Sequence, residues 1–293
     1  MVKNILFKGA ATALITPFDE NGALNLECLE QLIERQIEGG ISALVLAGTT
    51  GEASTLSFEE YSQLIAFGSS IIRHRVPLIA GAGSNNTAKA LKWSLEAEKR
   101  GADAVLSVTP YYNKTTQEGL YLHYKTIMDR IKIPAILYHI PGRTGMKMNI
   151  DTICKLAENP RIIGLKEVSG DLSFAAHLAS KCDLPLYSGN DDQILPLLSL
   201  GGMGVISVLS NLLPREVQNI CKFYKQGELK KATALQLEMI PLIKLLFSSV
   251  NPIPVKKAME IMGYSCGKPR LPLVECDKTT ETALVQILRQ FGI

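Results

Sequence analysis

Aromatic residues make up only 6% of the 293-residue chain, with a single tryptophan, Trp93. Histidine is scarcer still. The four present (His74, His123, His139 and His177) form no H-x-x-x-H or similar pairing, so a histidine-built metal centre has little support. Neither sign of charge dominates, since 31 Lys and Arg against 28 Asp and Glu leave a net +3. No basic block is interleaved with aromatics, and a nucleic-acid groove is not expected. No apolar run reaches membrane-spanning length, and Met1 to Phe7 is too short for the apolar core of a signal peptide. Neither a membrane span nor a secretory signal is therefore expected. The six cysteines (Cys28, Cys154, Cys182, Cys221, Cys266 and Cys276) are scattered without a close pair. That is the pattern of reduced thiols in a cytoplasmic protein, not of a disulfide framework or a zinc knuckle.

What the chain does have is a hydrophobic fraction of 46% against 20% charged residues, enough for a large core. Its length suits two average domains or one large α/β barrel. The order of its apolar runs decides between them. Short runs without alternation predict strands at 11–15, 43–47, 77–80, 104–108, 134–138, 162–166, 184–188 and 204–208. Helical periodicity follows each, as at 26–37, stopped by Gly39-Gly40, and at 87–100, stopped by Gly101. Eight strand–helix units, with strands apolar on both faces, predict a (β/α)8 TIM barrel over residues 1–227. The rival architecture, an open doubly wound sheet, calls for a glycine-rich phosphate loop after its first strand. Ala11-Thr12-Ala13-Leu14-Ile15-Thr16-Pro17-Phe18 has none. Helical patterns at 228–247, 255–262 and 278–291 predict a C-terminal helical extension, 228–293, packed on the barrel without a linker-like lead-in.

Lys166 closes the sixth strand. A lysine is seldom buried in such an element without a partner or a task. Desolvation there favours the free amine, the form that attacks a ketone to make an imine. The bland alternative is a lysine that snorkels from the strand end to water. Active sites of these barrels lie at the carboxyl ends of the strands, and polar residues collect at those ends. Strand two runs into Gly48-Thr49-Thr50-Gly51-Glu52, and strand four into Thr109-Pro110-Tyr111-Tyr112-Asn113-Lys114. Strand five runs into Tyr138-His139-Ile140-Pro141-Gly142-Arg143-Thr144-Gly145, strand seven into Ser188-Gly189-Asn190-Asp191, and strand eight carries Ile206-Ser207. Each stretch has an ordinary reading: a common turn, rings capping a core, a rigid surface loop, plain strand core. Their convergence on the barrel end that holds Lys166 favours function. Thr49-Thr50 can offer hydroxyls and backbone amides to a small carboxylate. Arg143 can aim a guanidinium fork at another. Tyr138 can place a phenol beside an imine as proton donor and acceptor.

Gly48-Thr49-Thr50-Gly51-Glu52, Tyr111-Tyr112-Asn113, Pro141-Gly142-Arg143-Thr144-Gly145 and Gly164-Leu165-Lys166-Glu167 closely resemble the dihydrodipicolinate synthase family. So do Asn251-Pro252-Ile253-Pro254-Val255-Lys256 and Arg270-Leu271-Pro272-Leu273, and the resemblance runs essentially end to end. That family belongs to the pyruvate-dependent class I aldolase and lyase superfamily, which also contains N-acetylneuraminate lyase. The resemblance implies that Lys166 forms a Schiff base with pyruvate. It implies that Tyr138, Thr49 and Tyr112 relay protons, with Tyr112 reaching the site of a neighbouring subunit. Thr50 and the Ile206 backbone would hold the pyruvate end, and Arg143 the carboxylate of the second substrate, L-aspartate 4-semialdehyde. By the same resemblance the condensation belongs to the diaminopimelate route to lysine, needs no metal or organic cofactor beyond the covalent imine with pyruvate, and is carried out by a cytoplasmic homotetramer, a dimer of dimers.

Other readings make different demands on these residues. Sialic acid lyases and keto-deoxy-sugar acid aldolases share the lysine and tyrosine but typically lack Pro-Gly-Arg-Thr-Gly, and a polyhydroxy chain wants neutral donors there. A catalytically silent barrel would be marked by loss of Lys166 or Tyr138, and both are present. A metal-dependent aldolase needs clustered His and carboxylate ligands. Two departures from the family stand out. His139 replaces the usual asparagine, and its side chain is expected to point away from the barrel centre. Lys89, Phe58 and Tyr61 stand where lysine-inhibited members carry an acidic residue and, in many bacterial enzymes, histidines, although Ser54, Asn85 and Tyr111 match. A cation at position 89 would repel the ammonium of lysine, which predicts weak or absent inhibition by L-lysine.

Overall fold

The structure, a computed structural model, describes residues 4–293, so the first three residues of the Met1–Phe7 stretch lie outside the described residues. Eight parallel strands close into a barrel in sequence order: β1 (Gly9–Ala13), β2 (Ala43–Leu46), β3 (Leu78–Gly81), β4 (Ala104–Val108), β5 (Ala135–His139), β6 (Ile162–Glu167), β7 (Leu186–Ser188) and β8 (Gly204–Ser207). β1 pairs with both β2 and β8, which completes the ring. Side chains of alternate positions fill two separate cores. Val45, Ile79, Leu106, Ile136, Ile163 and Ile206 meet in the lumen. Leu44, Leu46, Val105, Leu137 and Leu165 pack outward under the helices. Because both faces are apolar, the period of two is invisible in the sequence and each strand reads as an unbroken run.

Strand ends differ from expectation where side chains or proline interrupt the ladder. β1 starts at Gly9 and stops at Ala13, because the Ile15 amide donates to Asn211 Oδ1 (3.1 Å) and leaves the sheet. Its early start depends on Gly204, where a Cβ would lie 1.7 Å from the Gly9 carbonyl oxygen. β7 begins two residues late, after Pro185, which has no N–H to donate. Pro141–Thr144 is a short helix where a loop is expected. Proline presets its first turn, and Gly145, with φ of 66°, caps its end.

Helices Leu229–Leu246, Ile253–Ile261 and Lys278–Gln290 form the carboxyl-terminal segment. Leu242, Leu246, Val255, Met259, Leu284 and Leu288 join the same buried cluster as the outer face of the barrel. Among the described residues no helix is long and apolar enough to cross a membrane.

Candidate active site

Adjacent strands set the central pair. In the β5–β6 ladder Tyr138 stands opposite Lys166, and His139 opposite Glu167. Side chains alternate, so the first pair faces the lumen and the second the helical layer. Lys166 is 6% exposed, and its Nζ lies 4.5 Å from the centre of the Tyr138 ring. The lysine stem passes over bare backbone at Gly189. A Cβ there would lie 2.7 Å from Lys166 Cε and 2.2 Å from Val168 Cγ2. Beyond it, Asp191 is buried and accepts the Val208 and Leu209 amides at 3.0 and 2.9 Å. Burial raises its carboxyl above the usual range, while the Ser207 hydroxyl, those two amides and the nearby Lys166 act the other way.

Behind the lysine, His139 Nδ1 lies 2.7 Å from Glu167 Oε2. The Met148 amide donates to His139 Nε2 (3.3 Å), which leaves Nδ1 as the nitrogen that donates to the carboxylate. The other Glu167 oxygen accepts the Ser169 amide, and the histidine ring packs 5.0 Å from Phe174. The side chain of His139 thus points away from the barrel centre, as expected.

Thr50 and Arg143 converge on a residue from the carboxyl-terminal segment. Asn251 Nδ2 donates to Thr50 Oγ1 (2.9 Å), which leaves the hydroxyl proton free to be donated elsewhere. Arg143 lies on the short Pro141–Thr144 helix, and its Nη2 donates to the Asn251 carbonyl (3.3 Å). A cavity of about 210 Å³ opens beside them, lined by Thr49, Ser84, Lys89, Tyr111, Tyr138 and Arg143 among others. Thr49, Tyr138 and Arg143 therefore share one space. Lys166 Nζ lies against the Tyr138 ring but its side chain is not among those that line the cavity, and Ile206 is wholly buried in the lumen. Tyr112 is not brought in. It is 90% exposed with φ of 70°, and Tyr111 lines the cavity in its place.

Asn251 and Gly189 were not anticipated. Asn251 carried only a motif match, and Gly189 read as part of a polar turn. Among the described residues no group of three His, Cys, Asp or Glu side chains comes together to hold a metal ion.

A TIM barrel with a buried amine set against a phenol at the carboxyl ends of its strands is the architecture of an imine-forming class I lyase. The chain matches the Dihydrodipicolinate synthetase family over residues 6–291, and it belongs to that family. A 4-hydroxy-tetrahydrodipicolinate synthase of Clostridium perfringens is 48% identical over 290 residues, covering 98% of this chain and 99% of the relative. A chloride-inhibited dihydrodipicolinate synthase of Acinetobacter baumannii, solved in complex with pyruvate, superposes with a TM-score of 0.95 at 40% identity, covering 98% and 99% of the two chains. A dihydrodipicolinate synthase of Cyanidioschyzon merolae with lysine bound gives a TM-score of 0.95 at 38% identity, covering 99% of each.

Proposed function

We propose that this chain is a 4-hydroxy-tetrahydrodipicolinate synthase that condenses pyruvate with L-aspartate 4-semialdehyde. The observation that carries the reading is Lys166 held under the Tyr138 ring at 4.5 Å on the adjoining strand. The Lys166 amine adds to the pyruvate ketone and expels water to give an imine. Loss of a methyl proton gives an enamine, whose carbon attacks the aldehyde. The amine of the second substrate then attacks the imine carbon, which closes the ring and frees Lys166. Tyr138 and Thr49 move protons beside the imine, and Thr50 donates its hydroxyl proton to the pyruvate carboxylate while the Ile206 backbone holds the same end. Arg143 takes the carboxylate of the aldehyde. Tyr112 completes the relay from a neighbouring subunit, a role that its 90% exposure within one chain supports. The reading includes a homotetramer working in the cytoplasm without further cofactor, and a catalytic barrel, 1–227, distinct from the 228–293 extension.

Treatment with pyruvate and borohydride, followed by peptide mapping, is expected to place a reduced pyruvyl group on Lys166. Turnover is then expected with aspartate semialdehyde and not with N-acetylmannosamine. Turnover of the sugar aldehyde alone would favour an N-acetylneuraminate lyase-like or keto-deoxy-sugar acid aldolase-like enzyme. No adduct on folded protein would sink the imine and bring a silent barrel to the front.

Feedback regulation is a separate expectation. Lys89 lines the cavity with its Nζ 5.2 Å from the Trp93 ring centre, and Phe58 lies under Lys92 at 3.9 Å. Tyr61 is fully buried against Trp93, and that burial pushes its phenol above the usual range. Among the described residues of this chain no carboxylate lines the cavity to meet an ammonium. Millimolar L-lysine is expected to leave the initial rate within about twofold of its uninhibited value. Strong inhibition at that concentration would show that another group meets the charge.

A further inference from the structure

Of the two stretches that mark the chain as a family member, residues 251–256 and 270–273, only Asn251 has entered the chemistry described so far. Both end on the turn after β2. Glu52 adopts φ of 53°, a left-handed conformation that a residue with a Cβ keeps only where its surroundings fix it. Its side chain and that of Lys256 are each 1% exposed, and Lys256 Nζ lies 2.7 Å from Glu52 Oε1. The second carboxylate oxygen accepts the Arg270 amide at 2.8 Å. Lys256 also donates to the Lys268 carbonyl (3.2 Å) and lies 4.3 Å from the Phe18 ring centre. The Arg270 guanidinium covers the same ring at 4.1 Å, donates to the Thr55 carbonyl (2.9 Å), and pairs with Glu60. On the inner side Thr16 Oγ1 donates to the Gly51 carbonyl at 2.7 Å. The Thr49-Thr50-Gly51 turn is therefore held from both flanks, and its outer anchor is a buried ion pair with a residue 204 positions away.

We infer that Lys256 is a positioning residue for pyruvate: through Glu52 it fixes the Thr49-Thr50 turn in the geometry that receives the pyruvate carboxylate. The inference rests on the reading that Thr50 holds that carboxylate. Removing the ammonium leaves a carboxylate in the interior without its counter-charge, and Glu52 must then move toward water or take up a proton. Either response loosens the turn, and a loosened donor binds an anion less well. Lys166 and Tyr138 stand on β6 and β5 and keep their places. The loss should therefore fall mainly on pyruvate binding, with a smaller share on the chemical step through Thr49 in the same turn.

The test compares the full-length wild type with Lys256→Met and Glu52→Gln, using pyruvate as the probe. Half-saturating pyruvate is measured both in steady state and by borohydride trapping at Lys166, and thermal melting is followed in parallel. Half-saturating pyruvate is expected to rise at least about tenfold in Lys256→Met and at least about threefold in Glu52→Gln, with kcat within about threefold and half-saturating aldehyde within about twofold. A wild-type requirement for pyruvate in either folded variant overturns the inference, whatever happens to its melting temperature. So does a fall in kcat alone. Should Lys256→Met fail to fold, Glu52→Gln, which keeps the size of the side chain, decides the matter. Absence of an adduct on the wild type would instead overturn the imine reading. A normal wild-type adduct beside variants with unchanged pyruvate dependence overturns only the role of Lys256.

Discussion

Replacing Lys166 by alanine is expected to abolish the borohydride-stable pyruvate adduct and to lower kcat by about 10⁴-fold or more, the scale on which loss of a covalent nucleophile acts. Lys166→Arg should be equally inactive. It keeps the positive charge but offers a guanidinium that stays protonated and cannot form the imine. The fold should survive either change, because the β5–β6 and β6–β7 ladders run through backbone groups. The informative control is Lys256, a second deeply buried lysine, whose ammonium is committed to Glu52 at 2.7 Å. An adduct that persists in Lys166→Ala and maps to another lysine would show that the nucleophile had been misassigned. Circular dichroism and the mass of the trapped protein separate this outcome from simple unfolding.

His139→Ala is expected to lower the unfolding free energy by about 3 kcal/mol, the consequence of leaving a buried carboxylate without one of its hydrogen-bond donors. The imidazole is wholly buried and the Glu167 side chain only 5% exposed. Without the ring, Glu167 retains the Ser169 amide, and a carboxylate in the interior needs more than one donor. His139→Asn, which restores the residue more usual in the family, supplies an amide donor to the same carboxylate and should cost less than about 2 kcal/mol. Denaturant midpoints at unchanged slope would measure both. A value for His139→Ala within about 1 kcal/mol of the wild type would mean that the pair adds no net stability, as some buried pairs do not.

The barrel was legible because parallel strands covered on both faces are apolar throughout, and eight such runs alternate with helical periodicity. Their ends were less so. The Asn211 side chain that stops β1 comes from after β8, and no local pattern announces it. Lys166 and Tyr138 could be found in the sequence because a polar residue closing an apolar run is itself a local signal. Gly189 could not, since a glycine after a strand reads as a turn until a side chain is seen to pass over it. Asn251 and Lys256 lie 201 and 204 residues from their partners, and only the closed fold shows which turn they meet. The short Pro141–Thr144 helix carried its own signals, a proline at the first turn and a glycine beyond the last, but is too brief for periodicity to mark.

The separation between Glu52 and Lys256 also bears on how the molecule is made. A chain growing from its amino end exposes the turn after β2 long before the lysine that anchors it has been synthesised, and residues that pair at such distance close late in folding. All eight strands can be present while Glu52 still lacks its counter-charge. The strands of the barrel and the lysine that anchors the turn are thus synthesised in succession, and the ammonium that completes the turn arrives only with the helix Ile253–Ile261.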